Sequence, residues 1–327
     1  MKVLIYGGGA IGSHIAYCLY SPENRISIIT RGDHYLKIKK DGINIKIFDN
    51  DNLVNQANLK ENSYIKFFRD IESIDEKKFD YIFITVKLKD YNAKDMEKIN
   101  SLMESHTAII PPCTCLPDWW IRKIFSKNKN LQKINKEFLI LKNEENIIGM
   151  TMWLSSVIDK PGSITVKHIQ RGYPLKEVSS KMKSKADLLR NLITKKCVSP
   201  ETENIYSEIY GKVINSFAFN LVALDTELNN LGLKNDTNAL NSIKNIMKEF
   251  DEVMAFLKIP LFQSINERIN QTLKSTKHTM SMLTDYKRNK KVEINYSWIN
   301  LKLLLDLTGK KAPYTHKIFE RVLKKIS

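Results

Sequence analysis

The sequence predicts an α/β fold in which a doubly wound parallel sheet is followed by an all-helical domain. The chain begins with an apolar run, Met1–Tyr6, which breaks into glycines and then takes a helical pattern. Strand-like and helix-like segments alternate up to about Pro200, and beyond it apolar residues recur every three to four positions, the period of helices. From this change of period we predict domains at residues 1–201 and 202–327.

The turn after the first strand reads G-x-G-x-x-G, with glycines at Gly7, Gly9 and Gly12. The first glycine permits a tight turn, the second lets the backbone approach a pyrophosphate, and the third lets the helix pack closely on the strand. Because strands flank the unit, the pattern indicates a Rossmann-type dinucleotide site rather than a glycine-rich turn without a ligand. The predicted cofactor-binding loop contains Gly7, Gly8, Gly9, Ala10, Ile11 and Gly12.

Arg31 marks the predicted choice of dinucleotide. It follows the second strand, Ile26–Ile29, where NAD enzymes commonly carry an Asp or Glu that accepts from the ribose 2′-hydroxyl. A guanidinium suits a 2′-phosphate instead, because its planar fork donates to anionic oxygens. We therefore predict NADP (NADPH) as the cofactor, and the alternative is an ordinary solvated arginine.

Periodicity also predicts the other strands of the first domain. Buried parallel strands are expected at Tyr81–Val86 and Thr107–Ile110. Further apolar strands are expected at Phe138–Leu141, Ile147–Trp153 and Ile164–Val166.

The second domain is predicted to contain long amphipathic helices. One runs from Leu240 to Leu257 and is closed by Pro260, and another runs from Val292 to Leu307 and stops at a C′ glycine, Gly309. In this layout the substrate is expected between the domains, at the carboxyl ends of the sheet strands.

Composition and charge narrow the class of protein. With 327 residues, of which 43% are hydrophobic, the chain can bury a large core, yet no stretch approaches the roughly 20 apolar residues of a membrane span. The N-terminus lacks an apolar secretory core, so we expect a cytoplasmic protein. The net charge of +16 comes mostly from lysines spread along the chain without interleaved aromatic residues, which indicates a solvated surface rather than a nucleic-acid interface.

Neither a disulfide framework nor a metal site is predicted. Four cysteines are too few and too scattered for a framework, and Cys113-x-Cys115 lacks a second ligand pair for zinc. The histidines show no ligand spacing; they are His14, His34, His106, His168, His278 and His316.

Four stretches of the chain form a distinctive set of motifs: the glycine loop with Arg31, Thr85–Lys87, Lys212 with Asn220, and Ser281–Asp285 with Glu293. Together they resemble the ketopantoate reductase (2-dehydropantoate 2-reductase) family, and the resemblance covers nearly the whole chain. The most specific motif is S-M-L-x-D followed by a glutamate at the family's separation. The resemblance implies reduction of a 2-keto acid by NADPH with a lysine as proton donor.

The resemblance also implies roles for single residues. Hydride transfer to a ketone leaves negative charge on oxygen, and Lys212, with Glu293 as the second catalytic residue, supplies the cation or acid needed there. The implied substrate contacts are Lys212, Ser216, Asn220, Asn230 and Ser281. The implied cofactor contacts outside the glycine loop are Arg31, Lys87, Thr114, Ser155 and Glu293.

Each role has a plainer alternative. Lys212 can be a solvated helix residue, Asn220 a core-edge amide bonded to backbone, and Glu293 the surface partner of a neighbouring lysine. Trp119–Trp120 is expected to serve in core packing or as a pocket wall.

Two departures from the family concern the substrate. Thr114 is the nearest match to an asparagine that contacts cofactor and substrate in most members, and Ser216 replaces another asparagine four residues after Lys212. A hydroxyl keeps a hydrogen bond but has a shorter reach and fewer donors than an amide, which leaves a larger pocket.

We therefore predict an NADPH-dependent reductase of a 2-keto acid, with ketopantoate as the leading substrate and pantothenate biosynthesis as the setting. One alternative is a reductase of the same architecture that acts on a different keto or imino acid, which Thr114 and Ser216 favour. Another is a catalytically silent NADP-binding sensor or scaffold. The predicted partner is a small-molecule 2-keto acid, with no specific nucleic acid and no membrane, and a homodimer remains an open expectation.

Overall fold

A computed structural model describes residues 1–49, 51–76, 78–87, 90–111, 115–126 and 144–326. The chain divides into two compact units. The first contains Met1–Cys113 and Gln132–Ile205, and the second contains Thr114–Leu131 and Tyr206–Ser327. The described residues 115–126 thus belong to the second unit, whereas the sequence-based division places every residue up to 201 in the first domain.

The described elements are eleven strands and twelve α-helices. The strands are β1 Lys2–Tyr6, β2 Arg25–Ile29, β3 Ile43–Asp49, β4 Asn52–Leu59, β5 Ile65–Phe68, β6 Tyr81–Ile84, β7 Ala108–Ile110, β8 Ile148–Met150, β9 Trp153–Lys160, β10 Ser163–Gly172 and β11 Leu175–Glu177. The helices are α1 Ala10–Leu19, α2 Gly32–Asp41, α3 Ala93–Leu102, α4 Asp118–Ile124, α5 Lys183–Thr194, α6 Ile205–Thr226, α7 Asn230–Asn235, α8 Thr237–Phe256, α9 Ile265–Leu273, α10 Ser281–Lys287, α11 Ile294–Thr308 and α12 Pro313–Ile326.

The first unit is built on a five-stranded parallel sheet with the order β5-β2-β1-β6-β7. β1 lies in the middle and is buried from Val3 to Tyr6, and all four residues of β6 are buried. Continuous apolar runs of this kind are typical of parallel strands that are covered on both faces. The prediction of an α/β fold with an N-terminal parallel sheet is confirmed.

The strands after β7 form separate sheets instead of extending the parallel one. β9 and β10 pair antiparallel and join β3 and β4 in a second sheet of order β4-β3-β10-β9. The reason is the short connection at Pro161–Gly162, because a turn of this length joins antiparallel neighbours, whereas parallel neighbours need a longer crossover. β8 pairs with β11 and touches the parallel sheet through one bridge between Ile109 and Ile147. The predicted strand at Phe138–Leu141 lies outside the described residues.

In its described residues the second unit contains only helices, as predicted. α6 is apolar around nearly its whole circumference, with Phe217, Phe219 and Leu221 fully buried or nearly so, which makes it the central helix of this unit. α11 ends at Gly309, which has the left-handed φ of +66° expected of a C′ glycine.

Trp120 stacks on Tyr210 with ring centroids 5.8 Å apart, and its Nε1 donates to the Tyr206 carbonyl at 3.0 Å. Trp119 is buried as well. The two tryptophans therefore serve in core packing.

Within the described ranges, no helix combines the length and the apolar character that a bilayer crossing requires.

Candidate functional site

The glycine loop leaves β1 and enters α1 with three of its glycines, Gly7, Gly8 and Gly12, tightly enclosed. Gly7 has a φ of +116°, and a Cβ there would lie 2.6 Å from the Val86 nitrogen. A Cβ on Gly12 would lie 2.1 Å from the Gly7 carbonyl oxygen. Since real Cβ atoms do not approach this closely, both positions require glycine for the turn and for the packing of α1.

Gly9 is different, because a Cβ there would meet no atom within 4 Å. Its φ of −71° also suits any residue. Gly9 is the N-cap of α1 and no side chain caps this helix, so the amides of the first turn remain available to an anion. The open space above Gly9 and the uncapped helix end fit the pyrophosphate of a dinucleotide.

We expect Gly9→Ala to weaken dinucleotide binding about tenfold while the free protein keeps its melting temperature, because the new methyl group occupies ligand space and touches no protein atom. Calorimetric titration with NADPH beside thermal unfolding of the free protein checks this. The matched variant Gly12→Ala should instead lower the melting temperature, since its methyl group meets backbone. Unchanged NADPH affinity in Gly9→Ala would contradict a pyrophosphate at this loop.

Arg31 follows β2 and is the N-cap of α2, with 58% of its side chain exposed. Its Nη2 donates to Asp95 Oδ2 at 2.5 Å and to the Tyr6 hydroxyl at 3.1 Å. Tyr6 in turn donates to Asp95, and Asn92 Nδ2 donates to the same carboxylate oxygen at 2.8 Å. The end of β2 therefore presents a guanidinium together with a carboxylate that accepts three donors.

Asp95 is ionised at neutral pH. Burial acts to raise its pKa, but the hydrogen bonds from Tyr6 and Asn92 and the charge of Arg31 outweigh it and hold the pKa below the usual value. Sequence reasoning missed Asp95, although Asn92 and Asp95 have the spacing of a helix N-terminus, and Asn92 does cap α3. The sequence signals the cap but not that α3 begins opposite Arg31.

The other predicted cofactor residues lie in three different places. Lys87 is exposed and lies three residues past the end of β6, the strand that pairs with β1 in the parallel sheet. Ser155 lies on β9 in the second sheet, where it pairs with Lys167 of β10. Thr114 lies outside the described residues. The contacts of these residues with a cofactor stay predictions.

Four polar residues lie four positions apart along α6 and therefore share one face of this largely apolar helix: Glu208, Lys212, Ser216 and Asn220. Glu208 and Asn220 are buried, while Lys212 and Ser216 are partly exposed. Burial lowers the pKa of Lys212 to about 8, and the negative charge of Glu208 opposes this shift. A lysine with such a pKa can give up a proton near neutral pH.

Glu208 is a residue that sequence reasoning missed. The sequence does contain a signal for it. Charged residues are rare on buried helices, and Glu208 lies one helical turn before Lys212. The structure makes it the charged neighbour that keeps the pKa of Lys212 from falling further.

Asn220 is engaged at both ends of its amide. Nδ2 donates to the Ser216 carbonyl at 2.8 Å and to the Ser216 hydroxyl at 3.2 Å, and Oδ1 accepts the Met282 amide at 3.0 Å. These bonds connect α6 to the first turn of α10, where Ser281 is exposed. Asn220 thus fixes the position of α10 relative to the Lys212 face.

Asn230 and Glu293 are buried beside helix ends. Asn230 begins α7, and its Nδ2 donates to the carbonyls of Thr272 and Ser275 at 2.9 and 3.0 Å, while its buried Oδ1 has no hydrogen-bond partner in the described part of the chain. Glu293 is the N-cap of α11, and its carbonyl accepts the Tyr296 amide at 3.1 Å. Substrate contacts by Ser216, Asn220, Asn230 and Ser281 and a catalytic role of Glu293 stay predictions.

Comparisons with known proteins agree with these two units. Residues 3–112 match the ketopantoate reductase PanE/ApbA family, and residues 204–325 match the C-terminal domain of the same family. A 2-dehydropantoate 2-reductase of Pyrococcus horikoshii is 26% identical over 307 residues, which cover 93% of this chain and 90% of that protein. Another, of Mesorhizobium japonicum, is 22% identical over 302 residues, which cover 90% and 88%.

Solved structures share the fold over the full length. A ternary complex of D-mandelate dehydrogenase with NADH and anilino(oxo)acetate superposes with a TM-score of 0.78 at 21% identity and covers 100% of this chain and 98% of that chain. The 2-dehydropantoate 2-reductase of Geobacter metallireducens has a TM-score of 0.78 at 17% identity and covers 99% and 100%. On the two family matches, which together cover well over half of its length, the chain belongs to the ketopantoate reductase family, whose members are oxidoreductases that act on CH–OH donors.

Proposed function

We propose that this protein reduces a 2-keto acid to a 2-hydroxy acid with NADPH, and that 2-dehydropantoate is its leading substrate. The observation that carries the proposal is Lys212, a partly exposed lysine on the polar face of α6 whose pKa is about 8. A lowered pKa has no use in a lysine that serves only the fold, whereas it allows a catalytic lysine to donate its proton near neutral pH. With this substrate the enzyme serves pantothenate biosynthesis in the cytoplasm, and the homodimer stays a prediction.

NADPH, when bound, supplies the hydride that adds to the keto carbon. Lys212 donates its proton to the carbonyl oxygen, so that a hydroxyl forms instead of an alkoxide, and the ammonium group stabilises the charge that develops during the step. The neutral amine then regains a proton from solvent. Glu208 favours this recovery, because its negative charge raises the pKa of Lys212.

Other polar groups of the second unit are proposed to orient the substrate. The Ser216 hydroxyl, one turn along α6, and the exposed Ser281 at the start of α10 offer hydrogen bonds to a carboxylate and a hydroxyl. Asn220 positions both through its bonds to Ser216 and Met282. The unpaired Oδ1 of Asn230 is an acceptor for a substrate hydroxyl.

The proposed preference for NADPH rests on Arg31, whose guanidinium is largely exposed at the end of β2. A second candidate is NADH, which the Arg31–Asp95 pair favours, because a carboxylate at this place can accept the ribose 2′-hydroxyl. The similar D-mandelate dehydrogenase structure contains NADH.

A second candidate substrate is a different keto or imino acid, possessing a bulkier side chain than ketopantoate. Ser216 is smaller than the asparagine that the family resemblance expects, so that the polar face of α6 leaves more room beside Lys212. The similar D-mandelate dehydrogenase was solved with the aromatic compound anilino(oxo)acetate.

NADPH oxidation with a panel of 2-keto acids tests the function. We expect turnover of ketopantoate or of a bulkier 2-keto acid, and the ratio of kcat/KM between them decides which pocket the chain has. Absence of NADPH and NADH oxidation with every acid, in protein that binds the dinucleotide, would instead support a catalytically silent NADP-binding protein.

The pH profile of reduction should fall on the alkaline side from about pH 8. Reduction needs Lys212 protonated, and because its pKa is lowered to about 8, the protonated fraction declines about tenfold for each pH unit above that value. An ordinary lysine would remain protonated to about pH 10. The profile of kcat/KM reports the pKa in the free enzyme, and activity that stays level to pH 10 would contradict Lys212 as the donor.

A further inference from the structure

Three ligand-type side chains that the reductase chemistry does not use come together in the core of the first unit. They are His14, Cys18 and Cys197, each at most 6% exposed, and their Nε2, Nδ1 or Sγ atoms all lie within 4.8 Å of one another. His14 Nε2 faces Cys18 Sγ at 3.9 Å. The sequence does not reveal this set, because Cys197 is separated from His14 and Cys18 by most of the first unit.

Two of the three residues lie on a helix, and the third lies in a hydrogen-bonded turn directly after another helix. His14 and Cys18 lie one turn apart on the same face of α1, and Cys197 lies in the turn that follows α5, with its amide bonded to the Ile193 carbonyl at 2.9 Å. The next residue, Val198, accepts the Tyr173 amide at 2.9 Å. Side chains on such a frame are held close to one geometry, as a metal site requires.

Tyr173 orients the imidazole. Its hydroxyl lies 2.8 Å from His14 Nδ1, which occupies that ring nitrogen and leaves Nε2 facing Cys18 Sγ. Histidines that bind metals almost always have a partner of this kind on the other ring nitrogen.

We propose that His14, Cys18 and Cys197 form a buried site for one thiophilic metal ion, Cu⁺ or Zn²⁺. Metal–sulfur bonds of about 2.3 Å and metal–nitrogen bonds of about 2.0–2.1 Å put a sulfur and a nitrogen ligand roughly 3.6–3.8 Å apart. The observed 3.9 Å between His14 Nε2 and Cys18 Sγ needs little adjustment to reach this separation. Thiolate and imidazole donors suit soft ions such as Cu⁺ and Zn²⁺, whereas Mg²⁺ and Ca²⁺ prefer oxygen donors.

Binding releases the two thiol protons to solvent and leaves the imidazole neutral, so that Zn²⁺ gives a neutral site and Cu⁺ a site with one negative charge. In the described ranges no fourth cysteine, histidine or carboxylate joins the three donors. Zn²⁺ in structural sites is almost always four-coordinate, so the three-donor set favours Cu⁺. The Lys196 ammonium, which packs over the Tyr17 ring beside this site, offsets the remaining charge.

The test is a metal titration of the reduced, chelator-treated protein under anaerobic conditions, in one arm with Zn²⁺ and in the other with Cu⁺. We expect one tightly bound equivalent in at least one arm, and Co²⁺ as a spectroscopic probe should give a thiolate charge-transfer band. The arm that yields the equivalent identifies the ion. Fewer than about 0.1 equivalents in both arms would overturn the proposal, whatever any variant does.

Variants assign the site. Cys18→Ser and Cys197→Ser should each lose the bound equivalent, whereas Cys115→Ser should keep it, because Cys115 is an equally buried thiol that contacts Ser297 in the second unit. Metal that remains in Cys18→Ser and Cys197→Ser but disappears in Cys115→Ser would overturn the assignment. A disulfide between Cys18 and Cys197 in protein isolated without added oxidant would also overturn it. None of these readouts depends on reductase activity.

Discussion

Lys212→Ala should lower kcat by about 10² to 10⁴ while the protein stays folded and still binds the dinucleotide, because the variant loses the group that protonates the developing alkoxide. The side chain is partly exposed and its pKa of about 8 shows that the surrounding protein disfavours its charge, so that removal of the ammonium group costs the fold little. Steady-state kinetics of NADPH oxidation with the best 2-keto acid of the panel measures the effect.

A matched control is Lys244→Ala, which removes an exposed lysine from α8 in the same unit and should leave kcat unchanged. The variant Glu208→Gln tests whether Lys212 donates a proton or only binds the substrate. Because Glu208 raises the pKa of Lys212, its neutralisation should move the alkaline limb of the pH profile to lower pH with little change in the maximal rate. Full activity of Lys212→Ala would exclude Lys212 from the mechanism.

The sequence was sufficient for the parts of the fold that local patterns specify. β1, β2, β6 and β7 are short apolar runs bounded by turns, and α8 and α11 repeat apolar residues at helical spacing, so both kinds of element were predicted near their observed bounds. The four-stranded sheet of β3, β4, β9 and β10 was not predicted. β4 has an exposed residue at nearly every position, and such a strand shows no apolar alternation from which it could be recognised.

The candidate site shows the same division between local and long-range information. The glycine loop and the Lys212 face of α6 are local patterns, each contained in one segment of the chain. Asp95 beside Arg31, and Cys197 beside His14, are contacts between residues far apart in the chain. No spacing rule within one segment reveals such pairs, because they depend on how the strands of the sheet are ordered.

Asn220 has a structural role, the connection of α6 to α10, that the sequence alone does not indicate. The family resemblance implies a substrate contact, yet its amide is fully engaged with Ser216 and with the Met282 amide at the start of α10. An amide in this position keeps two helices in register, and the hydroxyl of Ser216 remains closer to solvent than the amide. The polar face that a substrate meets is therefore arranged by Asn220 whether or not Asn220 touches the substrate.

Arg31→Ala should remove most of the preference for NADPH over NADH. One or two charge-assisted hydrogen bonds to the 2′-phosphate, worth roughly 1.5–3 kcal/mol in total, correspond to a preference of about ten- to a hundredfold. NADH lacks that phosphate, so its affinity should hardly change in the variant. Calorimetric dissociation constants for both dinucleotides measure the preference, and equal binding of the two by the native protein would contradict it. Arg25→Ala is the matched control, because Arg25 is an exposed arginine at the opposite end of β2.

Asp95→Asn decides between the two dinucleotides that the end of β2 can accept. The Asp95 carboxylate neutralises Arg31 in the free protein, and it would repel a phosphate bound to the same guanidinium. If NADPH is the cofactor, removal of this charge should tighten NADPH binding several-fold and leave NADH binding unchanged. If Asp95 instead accepts the ribose 2′-hydroxyl of NADH, the same variant should weaken NADH binding, because an amide accepts less strongly than a carboxylate. The asparagine keeps the size of the side chain and an oxygen for Tyr6 and Asn92, so that an unchanged melting temperature would attribute either result to the charge.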